Sequence, residues 1–578
     1  MPYKLSPYVR FIESHLRTDA VQYGVFHLLT GRVFEPSSRI RALLLAGKLG
    51  QRISLTVEDL PQLGDDGAQL QELIKEEFLV ADGYDALMSF AHHYVVRPLQ
   101  NPAVTYRAES GKTILVRLSM AERLFSPTID QLSQVIEEEM PAAAARIFFA
   151  ADGSRTLEEI AASEFAPGEM GISGTAFREA MDFLTKPERQ LVKVTSQNAQ
   201  LNEPNQPFNT VPRNFFHASR SPAGTRRKDA KALVDFHQQK IESADWEFDV
   251  IESTVNHAFR FPSEAIGGLS YGSRFCAVCL KPEVLPRLRE PNRLNILEVG
   301  GGTGSFARAF LEQARSDGAK MNYHILDLAP ALIENQQRLL ADIDQPVVHF
   351  QQNATEMDIP GVEFDLIVAN EVIADFPTAE VKRHQEGGSD VNDRASSPQW
   401  IGAGLEYIQK YELSIDDAPD YFLVNAGVFE FIERAWEHLV PGGELVVSEY
   451  GGEHEYPVEA FHLNHAEFSI HFGHVIECAR KIGFQCRLQT LKDFLDIDDR
   501  VSVLNGRNEH IQCLNHVFEK YGASLEFRLI SEREFNDRFK ELATRINLRG
   551  YSFQPLANNF HYGPSVWHFM VLIMSKPK

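Results

Sequence analysis

From Asn295 to Ile373 the chain alternates short apolar runs with helix-like stretches: NILEVG, SFARAFLEQAR, NYHILDL, PALIENQQRLLADI, VVHFQQ, FDLIVANEVI. No other feature restricts the fold as much. Apolar runs of strand length that alternate with amphipathic helical stretches predict βαβ units, a mainly parallel sheet buried on both faces, and helices covering it on each side. The first strand runs straight into Glu298-Val299-Gly300-Gly301-Gly302-Thr303-Gly304, and a helix follows. Glycines there let backbone approach a ligand closely, because no Cβ stands in the way.

What the turn holds can be narrowed by what is missing from it. A triphosphate loop needs Lys-Ser/Thr after its last glycine, and here Ser305-Phe306 follow Gly304. A dinucleotide turn holds a pyrophosphate, which an acid two residues before the first glycine opposes. Glu298 therefore points to a cationic ligand. The next strand ends in Asp327-Leu328, where a carboxylate can accept from ribose hydroxyls, and the third leads into Gln352-Asn353-Ala354, where Asn353 can pair with an exocyclic amine.

Glu298 to Gly304 resembles motif I of class I S-adenosylmethionine-dependent methyltransferases. The resemblance implies a Rossmann-like α/β domain with a doubly wound sheet and S-adenosylmethionine as cofactor. It places Glu298, Gly300, Gly301, Gly302, Gly304, Asp327, Leu328, Asn353 and Ala354 at the cofactor, with Asn370 shared between cofactor and acceptor. The stretch FDLIVANEVIADFPTAEV (364–381) is similar to the N-E-x-x-D-A-x-P motif of MidA-like methyltransferases, whose mitochondrial relatives methylate a protein arginine. PGGELVVSEYG (441–451) and EFSIHFGHVIECARKIGF (467–484) resemble that family as well. On this reading Glu371 and Asn370 address a nitrogen acceptor, and His471 is a base or an orienter. Asp375 belongs to the same motif, but Ala374 places it four residues after Glu371 where the family has three, so it is expected to point elsewhere.

Two further stretches carry structural expectations. GGLSYGSRF (267–275) reads as a flexible cover on the cofactor with Tyr271 at its tip, and the insert 382–422, with Trp400 and Tyr407, reads as a substrate lid. His454, His462, His465, His471 and His474 crowd one region, yet methyl transfer to nitrogen needs no metal and none is expected. Cys276 and Cys279 form a lone CxxC and read as buried thiols.

Upstream, residues 47–80 and 151–194 share one plan: a Gly turn, a short capped helix, an amphipathic helix, and an apolar strand-like end. This reads as a divergent duplication. Thr156 with Glu159 forms a capping-box pattern, and Leu157 and Ile160 supply the buried stripe. DGSRTLEEIA resembles small peptide-binding domains of the PqqD type, which implies a mostly helical, winged-helix-like region that recruits a peptide or packs against another copy. The expected organisation is 1–100 and 101–195 as two such units, a linker at 196–228 rich in Asn, Pro and Ser, and a methyltransferase domain over 229–578.

Composition closes off other classes. A net charge of −23 over 578 residues, with no run of Lys and Arg long enough to override it, disfavours nucleic acid. No apolar run approaches a membrane span, and the first residues lack a signal-peptide pattern, so a cytoplasmic protein is expected. The sequence leaves two functions open: N-methylation of an Arg guanidine or an Asn/Gln amide in a peptide or protein, and O- or N-methylation of a small molecule by an enzyme whose front half forms a homodimer.

Overall fold

The computed structural model describes residues 3–6, 8–14, 22–27, 29–30, 32–34, 36–48, 64–81, 85, 87–88, 94–98, 103–108, 110–118, 135–165, 174–185, 189, 191–196 and 234 of the first part. Of the second it describes 254–285, 293–383, 400–462, 465–505, 508–525, 529–544, 546–547, 552–558 and 568–578. These residues form two compact units, one of Met1–Ala223 with Glu509–Glu526 and Phe539–Ser552, the other of Gly224–Asn508 with Phe527–Arg538 and Phe553–Lys578. Residues 197–228 of the expected linker lie outside the described residues.

The first unit repeats one arrangement. Tyr3–Leu5 pairs antiparallel with Leu79–Ala81, and between them come the antiparallel strands Val9–Ser14, Gln22–His27 and Val33–Phe34, then helices Ser38–Lys48 and Asp65–Lys75. Tyr94–Pro98 pairs in the same way with Val192–Ser196, enclosing strands Ala103–Arg107, Thr113–Leu118 and Val135–Glu139 and helices Ala142–Ala150, Leu157–Glu164 and Thr175–Thr185. The repeated arrangement thus extends beyond the helical stretches read in the sequence, and the expectation of a mostly helical region is corrected. Among the described residues, strands take up about as much of this part as helices. The strands were missed because their alternation is short and interrupted, whereas the caps are local signals. Thr156 and Glu159 make the capping box in full, Thr156 N donating to Glu159 Oε2 at 2.7 Å and Glu159 N to Thr156 Oγ1 at 3.2 Å. Leu157 and Ile160 are fully buried. Strand Ile546–Asn547, from the far end of the chain, adds to the edge at Ala103–Arg107.

In the second unit a helix, α1 (Tyr271–Cys279), precedes the sheet. Strand β1 (Leu294–Val299), helix α2 (Ser305–Ser316), strand β2 (Met321–Asp327), helix α3 (Pro330–Leu339), strands β3 (Val347–Gln351) and β4 (Phe364–Asn370) follow in the order the apolar runs predict. Then come helix α4 (Ala426–His438), strand β5 (Leu439–Gly452), helix α5 (Phe472–Ile482), and strands β6 (Gln485–Thr490) and β7 (Phe569–Ser575). Across the sheet the order is β3-β2-β1-β4-β5-β7-β6. The first five strands are parallel, and β7 runs antiparallel between β5 and β6.

Successive side chains of a strand face opposite sides, so the sheet separates two cores. Ile296, Tyr323, Ile325 and Val368 join Phe306 and Phe310 of α2 and Phe275 of α1 on one face. Leu297, Leu326, Ile367 and Val447 join Phe429 and Ile432 of α4 and Phe472 and Val475 of α5 on the other. Strands buried on both faces read as near-continuous apolar runs, which is why β1, β2 and β4 were legible in the sequence.

Within the insert, residues 384–399 lie outside the described residues. Its described apolar residues pack against the second core, where the sequence suggested a lid. Trp400–Ile401 and Tyr421–Val424 flank Ala379–Arg383 in a three-stranded sheet, Trp400 packs edge-on to Phe422, and Tyr411 and Phe422 are buried.

Candidate functional site

Strands β1 and β4 are neighbours, and their carboxyl ends open a cleft of about 850 Å³. Its walls gather Gly300 and Gly302 from the turn, Asp327 and Leu328 from the end of β2, Gln352, Asn353 and Ala354 after β3, and Glu371, Val372, Asp375 and Phe376 after β4. Eight of the residues singled out in the sequence thus meet in one place.

The glycines are there for distinct reasons. Gly300, at φ +74°, stands so close to Val372 that a Cβ would lie 2.4 Å from its Cγ2. A Cβ on Gly301 would lie 2.6 Å from Ile325 and 2.9 Å from Gln336. Gly304, at φ +87°, caps α2. Gly302, at φ +50°, differs: a Cβ there would meet nothing within 4 Å, on a residue that lines the cleft. A turn bare of side chains on its cleft side suits a ligand lying flat on backbone.

Behind the turn sits a residue that sequence reasoning missed. Gln336 of α3 is fully buried, and its Nε2 donates to Gly302 O at 2.9 Å and to Asp327 Oδ2 at 2.8 Å. One amide thereby ties the glycine turn to the acid that ends β2. Asp327 Oδ1 accepts from Ala329 N at 3.1 Å, which fixes the carboxylate at the cleft wall. Asn353 caps the turn Ala354–Glu356 by accepting from Thr355 N at 3.2 Å. A glutamine placed on the turn-facing side of α3 was the only signal in the sequence, and nothing in its spacing set it apart from a surface residue.

Glu298 lies beneath the turn, buried, and accepts from Tyr323 Oη at 2.9 Å. Burial pushes its carboxyl up to about 8, Tyr323 opposing and Asp327 adding to the rise. At neutral pH the protonated form is therefore favoured, and in that form Glu298 offers a cationic ligand no charge, contrary to the expectation from its place before the turn. Tyr271 is corrected as well. It opens α1, fully buried, with its hydroxyl donating to Asn370 Oδ1 at 2.8 Å, and is not the tip of a flexible cover.

Glu371 adopts a left-handed backbone at φ +50° and donates its N–H to Ser448 O at 2.9 Å. Its Oε2 accepts from Val255 N at 2.8 Å and its Oε1 from Asn256 N at 3.1 Å, while Asn370 Nδ2 donates to Oε1 at 3.2 Å. Burial raises its carboxyl to about 7 against these hydrogen bonds. The extra Ala374 does not carry Asp375 out of the cleft, because Ile373–Asp375 winds into a single 3₁₀ turn that leaves Asp375 in the wall. Glu449 closes the group from β5: it is buried, accepts from Ala374 N at 3.2 Å, and burial holds its carboxyl well above the usual range.

His471 is not among the residues that line the cleft. It caps α5, its Nδ1 accepting from His474 N at 3.1 Å, and its ring stacks on His474 at 3.8 Å. Burial, with His474 adding, lowers it to about 3, so it is neutral at physiological pH. Cys276 and Cys279 are buried thiols. Among the described residues no three His, Cys, Asp or Glu side chains are disposed to hold a metal ion, and no helix is long and apolar enough to cross a membrane.

Residues 282–459 match the model of a family described as "Putative S-adenosyl-L-methionine-dependent methyltransferase". No curated protein matches the chain. Among solved structures, an uncharacterized protein from Burkholderia thailandensis is 16% identical, with 62% of this chain and 94% of that one covered at a TM-score of 0.34. A second structure from that organism, bound to S-adenosyl-homocysteine, is also 16% identical, covers 62% of this chain and 95% of its own, and has the same score. A phosphoethanolamine N-methyltransferase from Haemonchus contortus is 14% identical over 62% of each chain, at a TM-score of 0.30. The family match spans the glycine turn, Asp327, Asn353, and the ends of β4 and β5. The chain is an S-adenosylmethionine-dependent methyltransferase, and S-adenosylmethionine is its cofactor.

Proposed function

We propose that the enzyme methylates a side-chain nitrogen of a peptide or protein, an Arg guanidine or an Asn/Gln amide, and that the first unit recruits that chain. The observation that carries the reading is the acidic wall of the cleft: Asp375 lines it beside Glu371, and Glu449 sits buried against the 3₁₀ turn that carries Asp375. The second unit is read as Rossmann-like on its strand order, with helices on both faces of the sheet.

When bound, S-adenosylmethionine supplies the methyl group and departs as a neutral thioether, so no acid is needed on the leaving side. The chain's residues have two tasks, to position the acceptor and to free its lone pair. An acidic wall favours an acceptor that is cationic or rich in N–H donors, since a carboxylate pairs with a guanidinium in two parallel hydrogen bonds. Both Glu371 oxygens accept backbone N–H groups, so we assign the acceptor contact to Asp375 and give Glu371 the task of holding the wall in place.

The test is methyl transfer from labelled cofactor to a panel of Arg-, Asn- and Gln-containing peptides of two lengths, with catechol as the phenolic comparison. Label is expected on peptide nitrogen, faster on longer peptides. Asp375→Asn is expected to slow single-turnover transfer about a hundredfold with S-adenosylhomocysteine affinity retained. Label on catechol but on no peptide would overturn the proposal in favour of small-molecule methylation.

A further inference from the structure

We propose that Glu371 and Asn256 are positioning residues of the cofactor site: together they fasten the segment Thr254–Phe259 against the start of α2, and cofactor affinity depends on that fastening.

A closed ring of hydrogen bonds points to this. Val255 and Asn256 open a one-turn helix, Val255–Ala258, whose first N–H groups have no partner within the helix. Glu371, about 115 residues further along, takes both of them. The Asn256 side chain reaches the other way, its Nδ2 donating to Ser305 Oγ at 3.3 Å, and Thr303 Oγ1 of the glycine turn donates to the same hydroxyl at 3.3 Å. At the segment's far end the carbonyl of Phe259, a fully buried residue, accepts from Tyr271 N at 2.8 Å. Tyr271 Oη donates to Asn370 Oδ1, and Asn370 Nδ2 donates to Glu371, which closes the ring.

The ring bears on the cofactor because two of its members belong to the site. Glu371 is part of the cleft wall, and its neighbour Val372 fills the space in front of Gly300. Ser305 is the first residue of α2, directly after Gly304. A non-glycine residue at positive φ is strained and persists only where its surroundings over-determine it. Here the bonds to Ser448 O, Val255 N and Asn256 N do so. If the segment is released, the strain at Glu371 is free to relax, and Val372 and the glycine turn lose their common support. The sequence motif read Glu371 as an acceptor-binding residue; the ring makes it a residue that acts through others.

The experiment measures S-adenosylhomocysteine affinity by calorimetry in the full chain for Asn256→Ala, Ser305→Ala, the double variant and Glu371→Gln. The unliganded melting temperature and the amide exchange of Val255 and Asn256 are followed alongside. Asn256→Ala keeps the backbone N–H groups that Glu371 holds and cuts only the link to Ser305, so the unliganded melting temperature is expected to fall no further than in Ser305→Ala, which loses the same bond. Its Kd is expected to rise about tenfold, the scale of one lost hydrogen bond of this kind. Adding Ser305→Ala to Asn256→Ala should cost little more, because both remove the same bond. In the wild type the ligand should slow exchange at Val255 and Asn256, and in Asn256→Ala it should not. An unchanged Kd in both Asn256→Ala and Glu371→Gln overturns the proposal. So does a ligand that slows exchange at Val255 and Asn256 in Asn256→Ala as much as in the wild type, which is what a merely structural role would give.

Discussion

Gln336→Leu is the substitution that most directly tests how the site is held together. Leucine is close in size to glutamine, so the packing beside Gly301 and Gly304 is largely kept while two donated hydrogen bonds, to Gly302 O and Asp327 Oδ2, are lost. A neutral hydrogen bond is worth about 1 kcal/mol and one to a charged group about 1.5 to 3, so the pair is worth about 2.5 to 4 kcal/mol if neither acceptor finds another partner. Asp327 is buried at the cleft wall, so little of this loss is made up by water. Because both acceptors belong to residues of the cleft proposed to take the cofactor, part of this loss is expected to appear in binding, and S-adenosylhomocysteine affinity should fall at least about tenfold, equivalent to 1.4 kcal/mol. Isothermal calorimetry on the wild type, Gln336→Leu, Asp327→Ala and the double variant measures it. The two changes should be coupled by about 1 kcal/mol or more, since Gln336 acts through Asp327. Wild-type affinity in Gln336→Leu, or strictly additive effects in the cycle, would refute the reasoning.

Glu298→Gln should flatten the pH dependence of stability. A carboxyl whose pKa is 4.5 at its ordinary value and about 8 when folded binds its proton more tightly in the native state, so its contribution favours folding at low pH and is lost as pH rises through about 8. Glutamine still offers Tyr323 an acceptor and cannot ionise, so denaturant midpoints should be higher than wild type at pH 9 and similar at pH 5; a variant less stable than wild type at pH 9 would count against this account. Gly300→Ala should abolish cofactor binding in calorimetry and lower the melting temperature, because its Cβ would meet Val372 at 2.4 Å on a residue at φ +74°.

The sequence alone determined whatever is encoded within a few residues of itself. Apolar runs of strand length marked β1, β2 and β4, because strands buried on both faces carry few polar residues to blur them. Glycines that cannot bear a Cβ marked the turn, and Thr156 with Glu159, three residues apart, marked a helix start. Those signals located the cleft and the acids that end β2 and follow β4.

Tertiary structure decided what each of those residues touches. Gln336 meets Gly302 across 34 positions, and Glu371 meets Asn256 across 115, so neither partnership leaves a trace in local spacing. His471 looked like a base because a motif placed it near the site, but the fold buries it against His474 and uses its Nδ1 to cap α5. Trp400 and Tyr407 looked like lid residues, but beside the three-stranded sheet at Ala379–Arg383 both pack against the second core. The last strand, β7, inserts antiparallel between β5 and β6 from more than a hundred residues away from β5. A periodicity of two says that a strand exists; which neighbours it takes is fixed only when the whole sheet competes for its edges.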